Sequence, residues 1–280
     1  MKHVEAHGAR IPAIGLGTWT LKGAEATRLV AAAIGAGYRH VDTAAMYDNE
    51  AAVGAGLAAG LRENGLERDD VFLTTKVWPT DIGDGDLQRS VEASLSRLGI
   101  DRVDLALIHW PSRTIPLADS IRALNEVKDR GLARHIGVSN FTVALIDQAN
   151  ALTRNPLVCN QVEYHPFLNQ DRVLSACREH GMAVVSYCPL ARGTELFSHP
   201  AVTAAAARHG RTPAQVVLRW HMQQPGVAAI PRSTDPGRIA QNLQVFDFEL
   251  DGPEMAALDA LRQRGRRICD FEFSPDWDPA

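Results

Sequence analysis

Four residues of this 280-residue chain, Asp42, Tyr47, Lys76 and His109, have the types and the spacing to build one acid–base site. Lys76 comes late in the run Val71-Phe72-Leu73-Thr74-Thr75, where burial strips an ammonium of water and is costly unless a carboxylate pairs with it. Asp42 lies 34 residues earlier, at the end of the run Arg39–Asp42, and His109 lies 33 residues later, at the end of Val103–His109. A protonated amine beside a phenol favours the phenolate, so this reading expects the Tyr47 pKa to fall from about 10 towards neutrality and make it a competent proton donor. Imidazole can offer an N–H to an oxygen, so His109 could orient or polarise a carbonyl group in the same pocket. Each residue alone has an ordinary explanation: a structural ion pair, a rim aromatic, a satisfied core histidine. Their recurrence at matching strand ends carries the inference.

The elements that must position them alternate along the chain. Candidate strands are Ile14–Gly17, Arg39–Asp42, Val71–Val77, Val103–His109, Arg134–Val138, Val158–Val162, Ala183–Tyr187 and Val227–Ile230. Between and after them, helical periodicity or helix-start residues mark Ala24–Ala36, Glu50–Glu63, Leu87–Leu98, Leu117–Arg130, Val143–Leu152, Asp171–His180, Pro213–Met222 and Pro236–Leu243. Strands such as Val103-Asp104-Leu105-Ala106-Leu107-Ile108 are nearly continuous apolar runs, as in parallel sheets covered on both faces. Eight such βα units predict an α/β fold, a closed (β/α)8 TIM barrel with a parallel eight-stranded sheet, whose chemistry sits at the C-terminal strand ends. No Pro-, Gly- or Ser-rich linker divides the chain, so residues 1–280 read as one domain. The first dozen residues and the tail after Asp251 fall outside the repeat and are expected to cap the barrel floor and rim. The glycine series Gly54-Ala55-Gly56-Leu57-Ala58-Ala59-Gly60 imitates a dinucleotide fingerprint, but its third glycine is one residue late and it lies inside a helix.

Composition narrows the partners. Hydrophobic residues make up 45% and charged residues 22%, enough for a real core and incompatible with intrinsic disorder. The net charge is −4 and the basic residues are scattered, which argues against nucleic acid or an anionic membrane surface and for a small molecule. The opening Met1-Lys2-His3-Val4-Glu5 has no apolar signal region and no stretch approaches a membrane span, so a cytoplasmic protein is expected. Cys159, Cys177, Cys188 and Cys269 show no CxxC spacing and are expected as ordinary reduced thiols, with no metal site. Nothing in the sequence demands an oligomer, and a monomer is expected.

Six linked motifs carry a family resemblance. Asp42-Thr43-Ala44-Ala45-Met46-Tyr47-Asp48-Asn49-Glu50, Thr75-Lys76-Val77-Trp78, Leu107-Ile108-His109-Trp110-Pro111, Ile136-Gly137-Val138-Ser139-Asn140-Phe141, Asn160-Gln161-Val162-Glu163-Tyr164-His165-Pro166 and Ile230-Pro231-Arg232-Ser233 resemble, in order, the signatures of the aldo-keto reductases. Within the family the chain resembles the bacterial 2,5-diketo-D-gluconate reductases, which also reduce methylglyoxal and other small aldehydes. The resemblance implies hydride transfer from a nicotinamide to a carbonyl carbon, with Tyr47 protonating the oxygen, Lys76 and Asp42 tuning that acid, and His109 orienting the carbonyl. It also implies that Ser139, Asn140 and Gln161 hold the carboxamide and that Tyr187 stacks on the ring. Gly17, Thr18, Pro189 and Leu190 are expected among the cofactor contacts, as is Asp42.

At the adenosine end, Arg232, Ser233 and Thr234 follow the last strand, and Arg238, Gln241 and Asn242 lie on the helix beginning near Pro236. Two guanidiniums and a hydroxyl suit a 2′-phosphate, and a helix N-terminus suits any phosphate, so NADPH is the expected cofactor. Arg232 stands where lysine is common in the family, and Gln241 where glutamate is common. Trp19, Trp78 and Trp110 should wall the reacting carbonyl, with Tyr47 and His109 supplying polarity. The short connection Pro111–Pro116 leads us to expect a shallow, open pocket for small substrates. Two rival readings are a metal-dependent hydrolase using Asp42, His109, Glu163 and His165, and a non-catalytic dinucleotide-binding or redox-sensing module on the same barrel.

Overall fold

The computed structural model describes residues 2–279, so Met1 and Ala280, the ends of the expected 1–280 span, lie outside the described residues. The chain opens with an antiparallel hairpin, β1 (His3–Ala6) and β2 (Ala9–Pro12). Its two-residue turn places His7 and Gly8 both at positive φ (48° and 81°), the geometry that fits the strand twist and that glycine accepts without strain. The hairpin sits on the barrel floor: Lys2 Nζ donates to the Met222 carbonyl at 2.7 Å and the His7 ring bonds the His180 carbonyl at 2.8 Å, both at the ends of outer helices.

The eight barrel strands are β3 (Leu16–Gly17), β4 (His40–Asp42), β5 (Phe72–Val77), β6 (Val103–Ile108), β7 (Ala133–Ser139), β8 (Leu157–Glu163), β9 (Ala183–Tyr187) and β10 (Val227–Ala229). They are hydrogen-bonded in sequence order, all parallel. A parallel bridge from Ile14 to Ala229, with Gly15 N on Ala229 O at 2.9 Å and Gly17 N on Pro231 O at 3.0 Å, joins the first strand to the last and closes the cylinder. This is the (β/α)8 barrel that the sequence predicts.

The outer helices are α1 (Gly23–Gly35), α2 (Glu50–Asn64), α3 (Asp86–Leu98), α4 (Leu117–Asp129), α5 (Val143–Leu152) and α6 (Asp171–Glu179). Next come α7 (Thr194–Ser198), α8 (Pro200–His209), α9 (Pro213–Gln223), α10 (Pro236–Leu243) and α11 (Gly252–Asp259). Expected and observed boundaries agree within a residue or two. The hairpin, α7, α8 and α11 have no counterpart among the expected elements, although α8 carries a Pro at its first turn and a left-handed Gly210 at its end. The glycines that imitate a fingerprint have a packing role: a Cβ on Gly54 would lie 2.2 Å from the Leu98 carbonyl oxygen, and one on Gly56 2.6 Å from that of Thr27. They let α2 press against its neighbours.

Candidate active site

Asp42, Lys76 and His109 come from three adjacent strands. Asp42 ends β4, Lys76 lies on β5, and His109 follows β6 with its N–H still donating to the Val77 carbonyl at 2.9 Å. Tyr47 lies five residues beyond Asp42, in a loop that Asn49 pins down. The Asn49 amide donates to the carbonyls of Thr18 and Leu21 and accepts from the Thr43 hydroxyl, each at 2.9 Å. Lys22 Nζ adds a 2.6 Å bond to the Tyr47 carbonyl.

The Lys76 side chain is fully buried. Its ammonium donates to Asp42 Oδ1 at 2.5 Å, to the Thr43 carbonyl at 2.9 Å and to the Tyr47 hydroxyl at 3.3 Å. Burial alone would lower its pKa, but the Asp42 charge, then Tyr47 and the hydrogen bonds carry it above the ordinary lysine value. It therefore stays a cation.

For Tyr47 the sign differs from the sequence expectation. Burial pushes the phenol above its ordinary value, and the Lys76 charge only partly opposes that rise. The sequence revealed the lysine but not the desolvation, which depends on packing. The hydroxyl is therefore a firmly protonated donor at neutral pH, not a phenol acidified towards neutrality. His109 is driven well below the ordinary imidazole value, first by burial and then by Lys76, so it is neutral. Its Nδ1 is buried without a hydrogen-bond partner, which leaves Nε2 as the atom with a polar role. The Tyr47 and His109 rings meet edge-on at 5.7 Å, and Trp78 meets His109 edge-on at 5.3 Å.

These groups open into a cleft of about 1040 Å³ at the C-terminal end of the barrel. Gly17, Thr18, Asp42, Tyr47 and His109 line its floor, and Trp19, Trp78 and Trp110 line one wall. Asn140, Gln161, Tyr187, Pro189 and Leu190 form a second wall, and Arg232, Ser233, Thr234, Arg238, Gln241 and Asn242 the far end. Two expected site residues do not line it: Lys76 lies beneath the floor, and Ser139 lies behind the second wall. The Ser139 hydroxyl donates to the Gln161 carbonyl at 2.7 Å and accepts from the Asn140 amide at 3.1 Å. Its place is to orient Asn140. Asn140 Oδ1 in turn accepts from the Tyr187 hydroxyl at 2.7 Å and so fixes that ring as a flat wall.

At the far end, Asp235 Oδ1 accepts from the amides of Gly237 and Arg238 at 2.7 and 3.2 Å. The α10 N-terminus, expected to receive a phosphate, is already capped by this carboxylate, so charge recognition there falls to side chains. Arg232 reaches across to the Trp19 carbonyl at 3.0 Å and to the Thr20 hydroxyl. The guanidinium of Arg238 has no hydrogen-bond or ion-pair partner among the described residues.

Sequence reasoning missed part of the lining. Cys188, Arg192 and Gly193 lie in the loop after β9, and their position just past Tyr187 was the available signal. Phe271 and Phe273 belong to the tail segment Asp270–Trp277, which is expected to fold over the rim; its contacts are not legible in sequence because it has no periodic pattern to read. The tail also corrects the expected shallow pocket. Phe273 packs edge-on against Trp78 at 5.3 Å and Trp110 at 5.2 Å, while Phe271 meets Trp110 at 5.9 Å, so the tail supplies the wall that the short Pro111–Pro116 connection does not. Arg113 Nη2 holds the tail through the Ser274 carbonyl at 2.6 Å.

Glu163 and His165, ligands in the metal-hydrolase reading, serve the same anchoring. The Glu163 carboxylate accepts from the backbone amides of Ile268 and Cys269, each at 2.7 Å, and bonds His165 Nε2 at 2.9 Å. Asp42 is engaged by Lys76 and Gln161. Among the described residues no cluster of His, Cys, Asp and Glu could hold a metal ion.

The fold agrees with the comparisons. Residues 13–263 match the aldo/keto reductase family, and the chain belongs to that family of carbonyl oxidoreductases. It is 46% identical over 267 residues to an aldo-keto reductase of Mycolicibacterium vanbaalenii, covering 95% of this chain and 91% of that protein. It is 40% identical over 262 residues to the uncharacterized oxidoreductase YtbE of Bacillus subtilis, covering 93% and 92%. A crystal structure provisionally assigned as a 2,5-diketo-D-gluconic acid reductase B superposes with a TM-score of 0.94 at 43% identity, over 100% of this chain and 98% of that one. The Bombyx mori aldo-keto reductase in complex with NADP gives 0.88 at 32% identity, over 96% and 95%.

Proposed function

We propose that this chain is an NADPH-dependent reductase of small aldehydes or ketones, such as methylglyoxal, aromatic aldehydes or 2,5-diketo-D-gluconate, with Tyr47 as the general acid. The observation that carries the proposal is the buried Lys76 ammonium, 2.5 Å from Asp42 and 3.3 Å from the Tyr47 hydroxyl. Such an arrangement costs desolvation and returns a positive field at one phenol oxygen that faces the cleft. NADPH, when bound, would supply the hydride.

The residues present fit that cofactor. Tyr187, fixed by Asn140, offers a flat apolar face at the reacting end, and Gln161 offers amide chemistry beside it. At the other end of the same cleft stands the Arg238 guanidinium, unpartnered among the described residues, with Arg232 nearby, matched in charge to a 2′-phosphate. Neutral His109 would orient the carbonyl, and Tyr47 would hold the proton for the oxygen that gains negative charge. Trp19, Trp78, Trp110 and the tail phenylalanines would exclude water and accept a carbon skeleton.

We further propose that a single barrel domain acts as a monomer in the cytoplasm. No helix among the described residues is long and apolar enough to cross a membrane, which is compatible with that placement. The test is an NADPH-oxidation screen over methylglyoxal, 2,5-diketo-D-gluconate, aromatic aldehydes and aldoses, ranked by kcat/KM. Single-turnover oxidation of bound NADPH by an aldehyde distinguishes a reductase from a non-catalytic dinucleotide module; no oxidation with any carbonyl overturns the proposal.

A further inference from the structure

Apart from the groups assigned to carbonyl reduction, one pair of reactive side chains lies on the cleft wall. Cys188 follows Tyr187 off the end of β9, and Cys269 belongs to the tail. Both are free thiols, and their sulfurs lie 3.8 Å apart although the residues are 81 positions apart in the chain. The fold holds them as neighbours from both sides. Glu163 clamps the Ile268 and Cys269 amides, while Cys188, at φ 48°, begins a tight turn in which its carbonyl accepts from the Ala191 amide at 2.9 Å. A disulfide needs sulfurs about 2.05 Å apart, so closure asks the two sulfurs, now at 3.8 Å, to approach one another.

The two thiols are not equivalent. Cys188 is half-buried on the cleft wall and Cys269 is buried. The Cys269 hydrogen bond pulls Cys188 below the ordinary thiol value and the Arg192 cation adds to this, against the opposing effects of burial and Glu163. Cys269 is pushed upward, by its bond to Cys188 and by burial. That division suits an attacking thiolate and a resolving thiol.

We propose that Cys188 and Cys269 form a reversible disulfide, with a hydroperoxide as oxidant, that latches the tail to the loop after β9 and holds the cleft closed. In the first step the Cys188 thiolate attacks a peroxide oxygen; the O–O bond breaks, and with hydrogen peroxide the leaving hydroxide takes a proton and departs as water, leaving a sulfenic acid. The Cys269 sulfur then attacks the sulfenic sulfur; the S–S bond forms, the S–O bond breaks, and hydroxide leaves with the Cys269 proton as a second water. Two thiols have lost two electrons and two protons, and the peroxide has been reduced. A dithiol reverses the change by exchange.

The bond would join two walls of the cleft. The tail carries Phe271 and Phe273, and the loop carries Pro189, Leu190 and Arg192. Bond formation and tail locking do not depend on the reductase reading; the effect on turnover rests on it. The experiment treats the reduced full-length chain with hydrogen peroxide, blocks remaining thiols, and measures intact mass, a non-reduced peptide map and trypsin cleavage of the tail.

The proposal expects a mass lower by two hydrogens with no added oxygen, a Cys188–Cys269 cross-linked peptide, slower tail cleavage, and full reversal by dithiothreitol. NADPH-dependent turnover should fall several-fold on oxidation and recover on reduction. In Cys188→Ser and Cys269→Ser, each compared with its own untreated rate, both the cross-link and the reversible fall should vanish. Over-oxidation of Cys188 without a cross-link, pairing with Cys159 or Cys177 instead, or a correct cross-link with unchanged tail cleavage would overturn it. A chain that never oxidises NADPH would defeat the reductase reading while leaving the mass and proteolysis results to decide this one.

Discussion

Asp42 divides its carboxylate between two partners: Oδ1 accepts from the Lys76 ammonium at 2.5 Å and Oδ2 from the Gln161 amide at 2.7 Å. A carboxylate only accepts, so Gln161 must face it with its NH2 group, and Oε1 is what Gln161 has left to offer a cofactor carboxamide. One buried residue thus sets the charge beneath Tyr47 and the orientation of an amide on the cleft wall.

Replacing Asp42 by Asn leaves Lys76 buried with no carboxylate and puts an NH2 group against at least one donor. Removing one partner of a buried pair costs about 3–5 kcal/mol. We expect that loss in urea denaturation at pH 7, and we expect Asp42→Asn/Lys76→Met to be less destabilised than the sum of the single variants. The pH sign follows from Lys76, whose folded pKa lies above its unfolded value. Its contribution is complete below the unfolded lysine value and fades as pH rises through the folded one, so the gap between wild type and Asp42→Asn should persist across neutral pH and narrow only in strong alkali. Equal stability of the two proteins at pH 7 would refute the pairing.

Tyr47→Phe removes the proposed acid while keeping the ring, and reduction should slow by about 10²- to 10⁴-fold with NADPH binding retained. The raised phenol pKa gives a second handle. The donor form survives through neutral pH and is lost only above the ordinary tyrosine value, so kcat/KM should stay level until pH passes about 10. Lys76→Met removes the only strong force lowering that pKa and should move the fall to still higher pH, beneath a lower plateau. His109, driven below 6.5, should remain neutral into mild acid and add no break near its ordinary value. A break in the wild-type profile close to pH 7 would contradict both assignments.

The parts of this site that were legible in sequence are those fixed by short-range pattern. Strand ends put Asp42, Lys76 and His109 one βα unit apart, and the closed barrel brought them together as that spacing required. What sequence could not show depends on chain segments far apart in number. The sign of the Tyr47 shift comes from burial, which requires knowing what packs over the loop. The closing wall comes from Phe271 and Phe273, whose segment has neither helix nor strand periodicity. Ser139 and Asn140 look alike as hydrogen-bonding residues, but only their contacts show that the first supports the second. The 3.8 Å approach of Cys188 to Cys269 was invisible for the same reason.

Arg238 and Arg232 stand at the same end of the cleft in different states. Arg232 is already bonded to Trp19 and Thr20, whereas the Arg238 guanidinium has no such partner among the described residues. Arg238→Ala should therefore weaken NADPH binding by about 1.5–3 kcal/mol, the value of a hydrogen bond to a charged group, while leaving NADH binding nearly unchanged. Arg232→Ala should raise KM for both NADPH and the aldehyde, because it also frees the backbone beside Trp19. Competitive titration of both cofactors checks this. Equal loss of NADPH and NADH affinity in Arg238→Ala would exclude a 2′-phosphate contact.

Glu163 holds the tail by accepting from the Ile268 and Cys269 amides, and it is itself fully buried. Burial favours its neutral form, but His165 and the two amides outweigh that and hold its pKa below the ordinary glutamate value. A depressed pKa contributes stability that is complete above the unfolded value and lost as pH falls through the folded one, so mild acid should not release the tail. Glu163→Gln should, because a glutamine amide has a single accepting oxygen and its NH2 group cannot accept, so one backbone N–H is left buried or forced into water. A buried donor without a partner costs about 1–3 kcal/mol, enough to shift the tail towards an open state while the barrel stays folded. With the tail open, Phe271 and Phe273 leave Trp110 and Trp78, so KM for an apolar aldehyde should rise more than kcat falls, and trypsin should cut after Arg266 or Arg267 sooner than in wild type. If the variant is cut no faster and keeps its KM, the tail is held by Arg113 and the aromatic contacts instead, and Glu163 is a passive core residue.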